Sequence, residues 1–183
     1  MGCFQESREF IINSITRAIS DDLEPEIEQT CKYILDANKV FVYGVGRSGL
    51  VAQSFAIRMV QLGLDVHFVG ESTTPIVTNR DVMIIVSNTG STMSAVQTAN
   101  ISRREGLPVI AVTSRKYSKL AHAANLTILL KIETGTDMQK KHAPLGTLFE
   151  DTAVILFELI TVCLMRRLNK DEHDMRSRHA IWV

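Results

Sequence analysis

The segment Val86-Ser87-Asn88-Thr89-Gly90-Ser91-Thr92 sets four hydroxyl side chains and a glycine between an apolar run, Val82 to Ile85, and a stretch of helical spacing. Hydroxyl donors, a backbone that allows close approach and the free N–H groups of a helix start are what a phosphate group needs. The segment has neither the lysine nor the Gly-x-x-x-x-Gly-Lys spacing of a nucleoside-triphosphate loop, which disfavours that chemistry. A second motif, Gly44-Val45-Gly46-Arg47-Ser48-Gly49, follows the apolar run Val40 to Tyr43 and matches the Gly-x-Gly-x-x-Gly start of a dinucleotide site. A dehydrogenase of that kind wants an acidic residue at the tip of the next strand. Glu71 falls past Gly70 instead. The same glycines also suit a tight strand-to-helix turn. What favours a binding role is Ser48, a hydroxyl at the helix start. A third polar cluster runs from Gly70 through Glu71, Thr73 and Thr74 to Pro75.

The elements that must position these motifs can be read from hydrophobic period. Two amphipathic helices are expected over about 5–37, the second opened by Pro25 near its first helical position. Short continuous apolar runs then read as strands: Val40 to Tyr43, Val66 to Val69, Val82 to Val86, Pro108 to Val112 and Leu126 to Ile132. They alternate with helices through Phe55 to Leu62, Ser94 to Arg104 and Leu120 to Ala124, and a long helix over Thr147 to Leu168 closes the series. Apolar strands alternating with helices specify an α/β fold with a parallel sheet covered on both faces. Ligands in such folds bind beyond the carboxyl ends of the strands. All three polar motifs stand at such ends, so one pocket built from the three is the expectation.

Composition narrows the class. The chain has 183 residues, 45% of them hydrophobic, which favours one domain over 1–183 with a sizeable core. Its 20 basic and 20 acidic residues balance, giving no electrostatic footprint for nucleic acid or an anionic membrane surface. Cys3, Cys31 and Cys163 are few and far apart, as in a reducing compartment, and a cytoplasmic location is expected. The N-terminal residues carry charge rather than a secretory pattern. The most apolar window, Ala153 to Met165, is too short to cross a bilayer. It is apolar nearly all round, so it is either a central core helix or a subunit contact. The five histidines have no i, i+4 pair, so no helical metal site is expected. His67 and His122 read as structural or surface residues, and His142 falls in a lysine-bearing loop that would lie over the pocket.

The order Gly-x-Gly-Arg-Ser-Gly, Gly-Glu-x-x-Thr-Pro, then Ser-x-Thr-Gly-x-Thr resembles the SIS (sugar isomerase) domain family. Pro144-Leu145-Gly146-Thr147-Leu148-Phe149-Glu150 extends the likeness to the 6-phospho-3-hexuloisomerase group within it. The resemblance covers nearly the whole chain. It implies a three-layer αβα sandwich with a five-stranded parallel sheet of flavodoxin-like or Rossmann-like topology. It also implies conversion of D-arabino-3-hexulose 6-phosphate to D-fructose 6-phosphate through an enediol, without metal or organic cofactor, in a homo-oligomer, commonly a tetramer. By position, Ser48, Ser87, Thr89 and Thr92 would hold the phosphate, with Gly46 and Gly90 in the same two motifs, and Glu150 would be the base. Arg47 would contact substrate oxygens or cap a carbonyl. Glu71 would orient substrate or pair with Arg47. The family tends to end in His-x-Asn-Leu; here His179-Ala180-Ile181-Trp182 keeps only the histidine. His179 would move protons between substrate hydroxyls, its own or a neighbour's. Another sugar-phosphate isomerase of the family, or a non-catalytic sugar-phosphate sensor, is the alternative.

Overall fold

The computed structural model describes residues 2–181; Met1, Trp182 and Val183, the last two in the C-terminal tail expected over about 170–183, lie outside the described residues. Five strands form the sheet: β1 (Val40–Gly44), β2 (Val66–Phe68), β3 (Val82–Val86), β4 (Val109–Thr113) and β5 (Leu126–Leu129). All pairs are parallel and the spatial order is β2-β1-β3-β4-β5. The helices are α1 (Cys3–Ala18), α2 (Glu24–Asp36), α3 (Arg47–Gln61), α4 (Met93–Arg104), α5 (Lys119–Ala123), α6 (Asp137–His142), α7 (Thr147–Arg167) and α8 (Glu172–Ser177).

The two-residue period of each strand divides the core. Val40, Val42, Ile84, Val86, Ile110, Val112 and Ile128 face one side, where α2, α3 and α7 cover them. Phe41, Met83, Ile85, Val109 and Ala111 face the other, against Ala95 and Ala99 of α4 and Leu120 of α5. This is the αβα sandwich expected from the strand–helix alternation. The ring planes of Phe55 and Phe157 stack with centroids 4.3 Å apart, locking α3 onto α7. Burial of Ala153, Leu156, Ile160 and Leu164 makes α7 the central helix of its layer. Part of its surface, at Ile155, Leu159 and Val162, nonetheless stays exposed.

Three short elements differ from the sequence expectations. β5 ends at Leu129 rather than Ile132. The loop expected over the pocket contains α6, capped by Thr136, whose hydroxyl accepts from the Gln139 amide at 3.1 Å. Its His142 is buried against α1, with Nδ1 2.9 Å from Ser7 Oγ and its ring beside Phe10. The tail contains α8, started by a capping box between Asp171 and Asp174.

The glycines of the first motif answer to packing. A Cβ on Gly49 would lie 2.6 Å from the Gly44 carbonyl oxygen, and one on Gly44 would lie 2.8 Å from the Gly49 amide nitrogen. Strand end and helix start therefore touch backbone to backbone, a contact that no flexible side chain can relax. Gly49→Ala is expected to lower unfolding free energy by about 2–3 kcal/mol in urea titration. An unchanged midpoint would contradict this packing.

Candidate active site

Strand order reverses between β1 and β3, since the chain runs outward from β1 to β2 and then returns to β3. Loops leaving those two strands in opposite directions open a crevice, the usual ligand position in such sheets. The Gly44–Gly49 and Ser87–Thr92 motifs are those loops. Between them lies a cavity of about 110 Å³ lined by Val45, Ser48, Val86, Ser87, Asn88, Thr89, Thr92 and Ala95. Its side-chain donors are hydroxyls and one amide, and Ser87 is only 4% exposed. Ser87 Oγ donates to Thr92 Oγ1 at 3.4 Å, and Ser91 Oγ to Thr89 Oγ1 at 2.9 Å.

Two helices begin at this crevice. Gly46 is the N-cap of α3 and Thr92 that of α4, and neither helix start takes a side-chain cap. First-turn N–H groups uncommitted to a capping side chain remain available to an anion, and both helix dipoles favour negative charge there. Hydroxyls plus two helix starts can hold a small oxyanion such as a phosphate group without a cationic side chain in the cavity wall.

The hydroxyl loop is held from behind by residues that sequence reading did not single out. The Asn88 carbonyl accepts from the Ser114 amide at 3.1 Å, Ser114 Oγ at 3.0 Å and Thr113 Oγ1 at 3.0 Å. Ser114 Oγ also lies 2.7 Å from Asn88 Oδ1. Gly90 accepts from the Leu120 amide at 2.9 Å. It has φ 58°, and a Cβ there would meet Ser118 Oγ at 2.2 Å. The signal was the run Thr113-Ser114 at a strand end, a hydroxyl pair whose partner became visible only with β4 beside β3.

Glu150 enters from α7. It occupies the first turn, 9% exposed, with its amide donating to the Gly146 carbonyl at 3.0 Å. Arg47 Nε donates to Glu150 Oε2. Arg47 directly precedes Ser48, so this pair joins the start of α7 to the wall of the hydroxyl cavity. The hydrogen bond to Glu150, and then the Glu150 charge, raise the Arg47 pKa. Asp151, next along α7, has its pKa raised chiefly by burial and also by Glu150, against the lowering effect of Arg47.

Eight of the ten residues singled out from sequence thus gather at the β1 and β3 ends: Gly46, Arg47, Ser48, Ser87, Thr89, Gly90, Thr92 and Glu150. Glu71 and His179 do not join them within the chain. They line a separate cavity of about 640 Å³ between α3 and the tail, together with Gln53, Val66 and Arg178. Arg47 pairs with Glu150 rather than Glu71, and the pocket draws on two of the three polar loops. Among the described residues no three His, Cys, Asp or Glu side chains assemble as a metal site requires. No helix among them is long and apolar enough to cross a membrane.

Removing the most buried hydroxyl should weaken anion binding while leaving the fold intact. Ser87→Ala is expected to raise the dissociation constant for inorganic phosphate about tenfold in calorimetric titration. Unchanged affinity would show that the anion sits elsewhere.

A model of the SIS domain family matches residues 33–143, from within α2 to the end of α6 and the residue beyond it. A protein of Methanocaldococcus jannaschii named 3-hexulose-6-phosphate isomerase is 34% identical over 161 residues, covering 88% of this chain and 86% of its own. A protein of that name from Bacillus subtilis is 31% identical, covering 93% of this chain and 94% of its own. The crystal structure of a Methanococcus jannaschii protein, from which a 3-hexulose-6-phosphate isomerase function was inferred, superposes with a TM-score of 0.88 at 31% identity. It covers 97% of this chain and 99% of its own.

Proposed function

Since this chain belongs to the SIS domain family, we propose that it interconverts D-arabino-3-hexulose 6-phosphate and D-fructose 6-phosphate. The observation that carries the reading is the Arg47–Glu150 pair beside an uncharged hydroxyl cavity. The names of the relatives at 34% and 31% identity favour this substrate pair among sugar phosphates.

In this reading Ser48, Ser87, Thr89 and Thr92, with the backbone around Gly46 and Gly90, hold the phosphate. The open-chain sugar then extends toward the start of α7. Glu150 removes the C2 proton of the 3-hexulose, and the carbonyl oxygen at C3 gains the electron pair. An enediol forms when that oxygen takes a proton. Return of the proton to C3, with loss of the O2 proton, leaves the carbonyl at C2. A single carboxylate serves both carbons because they are adjacent. Arg47 gives the step its electrostatic logic. In the resting site its charge is balanced by Glu150; once Glu150 is protonated, the same guanidinium faces the negative charge developing on the substrate oxygen. The counter-charge is already in place, so little reorganisation is needed.

Glu150→Gln keeps size and hydrogen-bonding capacity but cannot accept the proton. Turnover of 3-hexulose 6-phosphate is expected to fall about 10²–10⁴-fold, with fructose 6-phosphate binding retained. Full activity in the variant would remove Glu150 from this role. Binding without turnover in the wild-type chain would favour a sugar-phosphate sensor.

The working form in this proposal is a cytoplasmic homo-oligomer, a tetramer as the sequence likeness implied. Its support is the exposed apolar row Ile155, Leu159 and Val162 on α7 and the exposed Ile57 and Val60 on α3, two helices joined by the Arg58–Glu158 ion pair at 3.1 Å. A subunit contact would also explain His179. It is exposed, outside the hydroxyl cavity of its own chain, and free to move hydroxyl protons in a neighbour's site. Mixing separately inactive Glu150→Gln and His179→Ala chains should then restore part of the activity, because some mixed assemblies contain one intact site. No recovery on subunit exchange would place His179 outside the reaction or within its own site.

A further inference from the structure

The hydroxyl cavity has a charge problem if its ligand is a phosphate dianion. Its lining contains no cationic side chain. The nearest arginine in sequence, Arg47, is occupied by Glu150. The chain as a whole has zero net charge, so no general field draws an anion in.

The loop after β4 supplies what the cavity lacks. Arg115 and Lys116 line a cavity of about 480 Å³ with Thr89, Ser114, Tyr117 and Ser118. Thr89 belongs to both cavities, so the two adjoin. Among the described residues no carboxylate pairs with Arg115 or Lys116. Nor are these cations on a loose loop. Ser114 is bonded to Asn88 through both backbone and hydroxyl. The Arg115 amide donates to Thr113 Oγ1 at 3.3 Å, and its guanidinium Nη2 donates to Thr134 Oγ1 at 2.9 Å. Lys116 Nζ lies 5.7 Å from the Tyr117 ring centre. Two positive charges without a carboxylate partner therefore stand on a loop bonded to the hydroxyl loop, in a cavity that shares Thr89 with it.

We propose that Arg115 and Lys116 form a cationic rim that captures the substrate's phosphate dianion and delivers it to the uncharged hydroxyl cavity. The proposal rests on the sugar-phosphate reading above and assigns the two roles to different loops. The β4 loop attracts by charge; the β1 and β3 loops hold by directed hydrogen bonds. Cations in a cavity adjoining a binding site raise local anion concentration and association rate, and their effect fades as salt screens them. Hydroxyl and main-chain donors are screened far less, which is why the two contributions separate in experiment.

The test compares wild type, Arg115→Gln/Lys116→Gln and the charge-conserving Arg115→Lys/Lys116→Arg. Inorganic phosphate is titrated calorimetrically, and kcat and KM for 3-hexulose 6-phosphate are measured, each from about 10 mM to about 150 mM salt. The neutral pair should bind phosphate about five- to tenfold more weakly at low salt and lose most of the salt dependence. Its loss of kcat/KM should fall on KM rather than kcat. The charge-conserving pair should retain both affinity and salt slope, which a merely structural role of Arg115 would not permit. The proposal is overturned if the neutral pair matches wild type in affinity and salt slope, if both pairs lose affinity equally, or if wild type binds no phosphate. Wild-type phosphate binding without turnover would sink the isomerase reading alone, and the titrations would still decide the rim.

Discussion

A buried parallel sheet allows polar chemistry at only one place, and everything functional in this chain depends on that constraint. The central strands β3 and β4 are buried along their full length, and their flanks are apolar on both faces. Their backbone groups are consumed by the ladder. Polar side chains can gather only where strands end, and in a parallel sheet the carboxyl ends share one edge. The order reversal at β1 and β3 then decides which two loops enclose a cavity. Neither Ser48 nor Ser87 needs a special conformation of its own; the sheet brings them together.

Onto that edge the chain adds a carboxylate from a distant segment. Glu150 lies 103 residues beyond Arg47 in the sequence, and α7 carries it there because α7 packs on α3. The Phe55–Phe157 stack and the surrounding apolar contacts fix the relation of the two helices. The Arg47–Glu150 pair uses that relation. A nearly buried carboxylate requires a counter-charge, and Arg47 supplies it from the first residue of α3, its own side chain 66% exposed. Because the guanidinium faces solvent, the pair is better understood as a way of holding charge ready at the site than as a source of stability. Asn88 shows the same division of labour. Its carbonyl is engaged by Thr113 and Ser114, leaving the hydroxyls of its neighbours for a ligand.

How much of this could be read in advance follows from which interactions are local. Strand β3 lies where its apolar run predicts, and the start of α7 at Thr147 likewise, because burial and helical period are written in consecutive residues. Gly49 was legible as a tight turn; only the structure identified the Gly44 backbone as the group it must clear. The short α6 and α8 leave no helical period in the sequence, because six residues carry too little of it. Their signals were the caps, Thr136 with Gln139 and Asp171 with Asp174. His142 reads as a loop residue in the sequence because its partners, Ser7 and Phe10, come from the other end of the chain. On sequence, Glu71 is the carboxylate offered as a partner for Arg47. Tertiary packing chose Glu150, since β2 is an edge strand and the loop beyond it faces α3 and the tail.

The proposed reaction turns on Glu150 exchanging a proton with the substrate carbon next to the carbonyl. Incubating fructose 6-phosphate with the protein in deuterium oxide, and following the sugar by proton and carbon magnetic resonance, reads that step directly. Deuterium should appear at C3 with the wild-type chain, and that exchange should be lost when Glu150 is replaced by glutamine. Failure of the wild-type chain to exchange, or exchange at C3 that persists undiminished without the carboxylate, would contradict the proposed reaction.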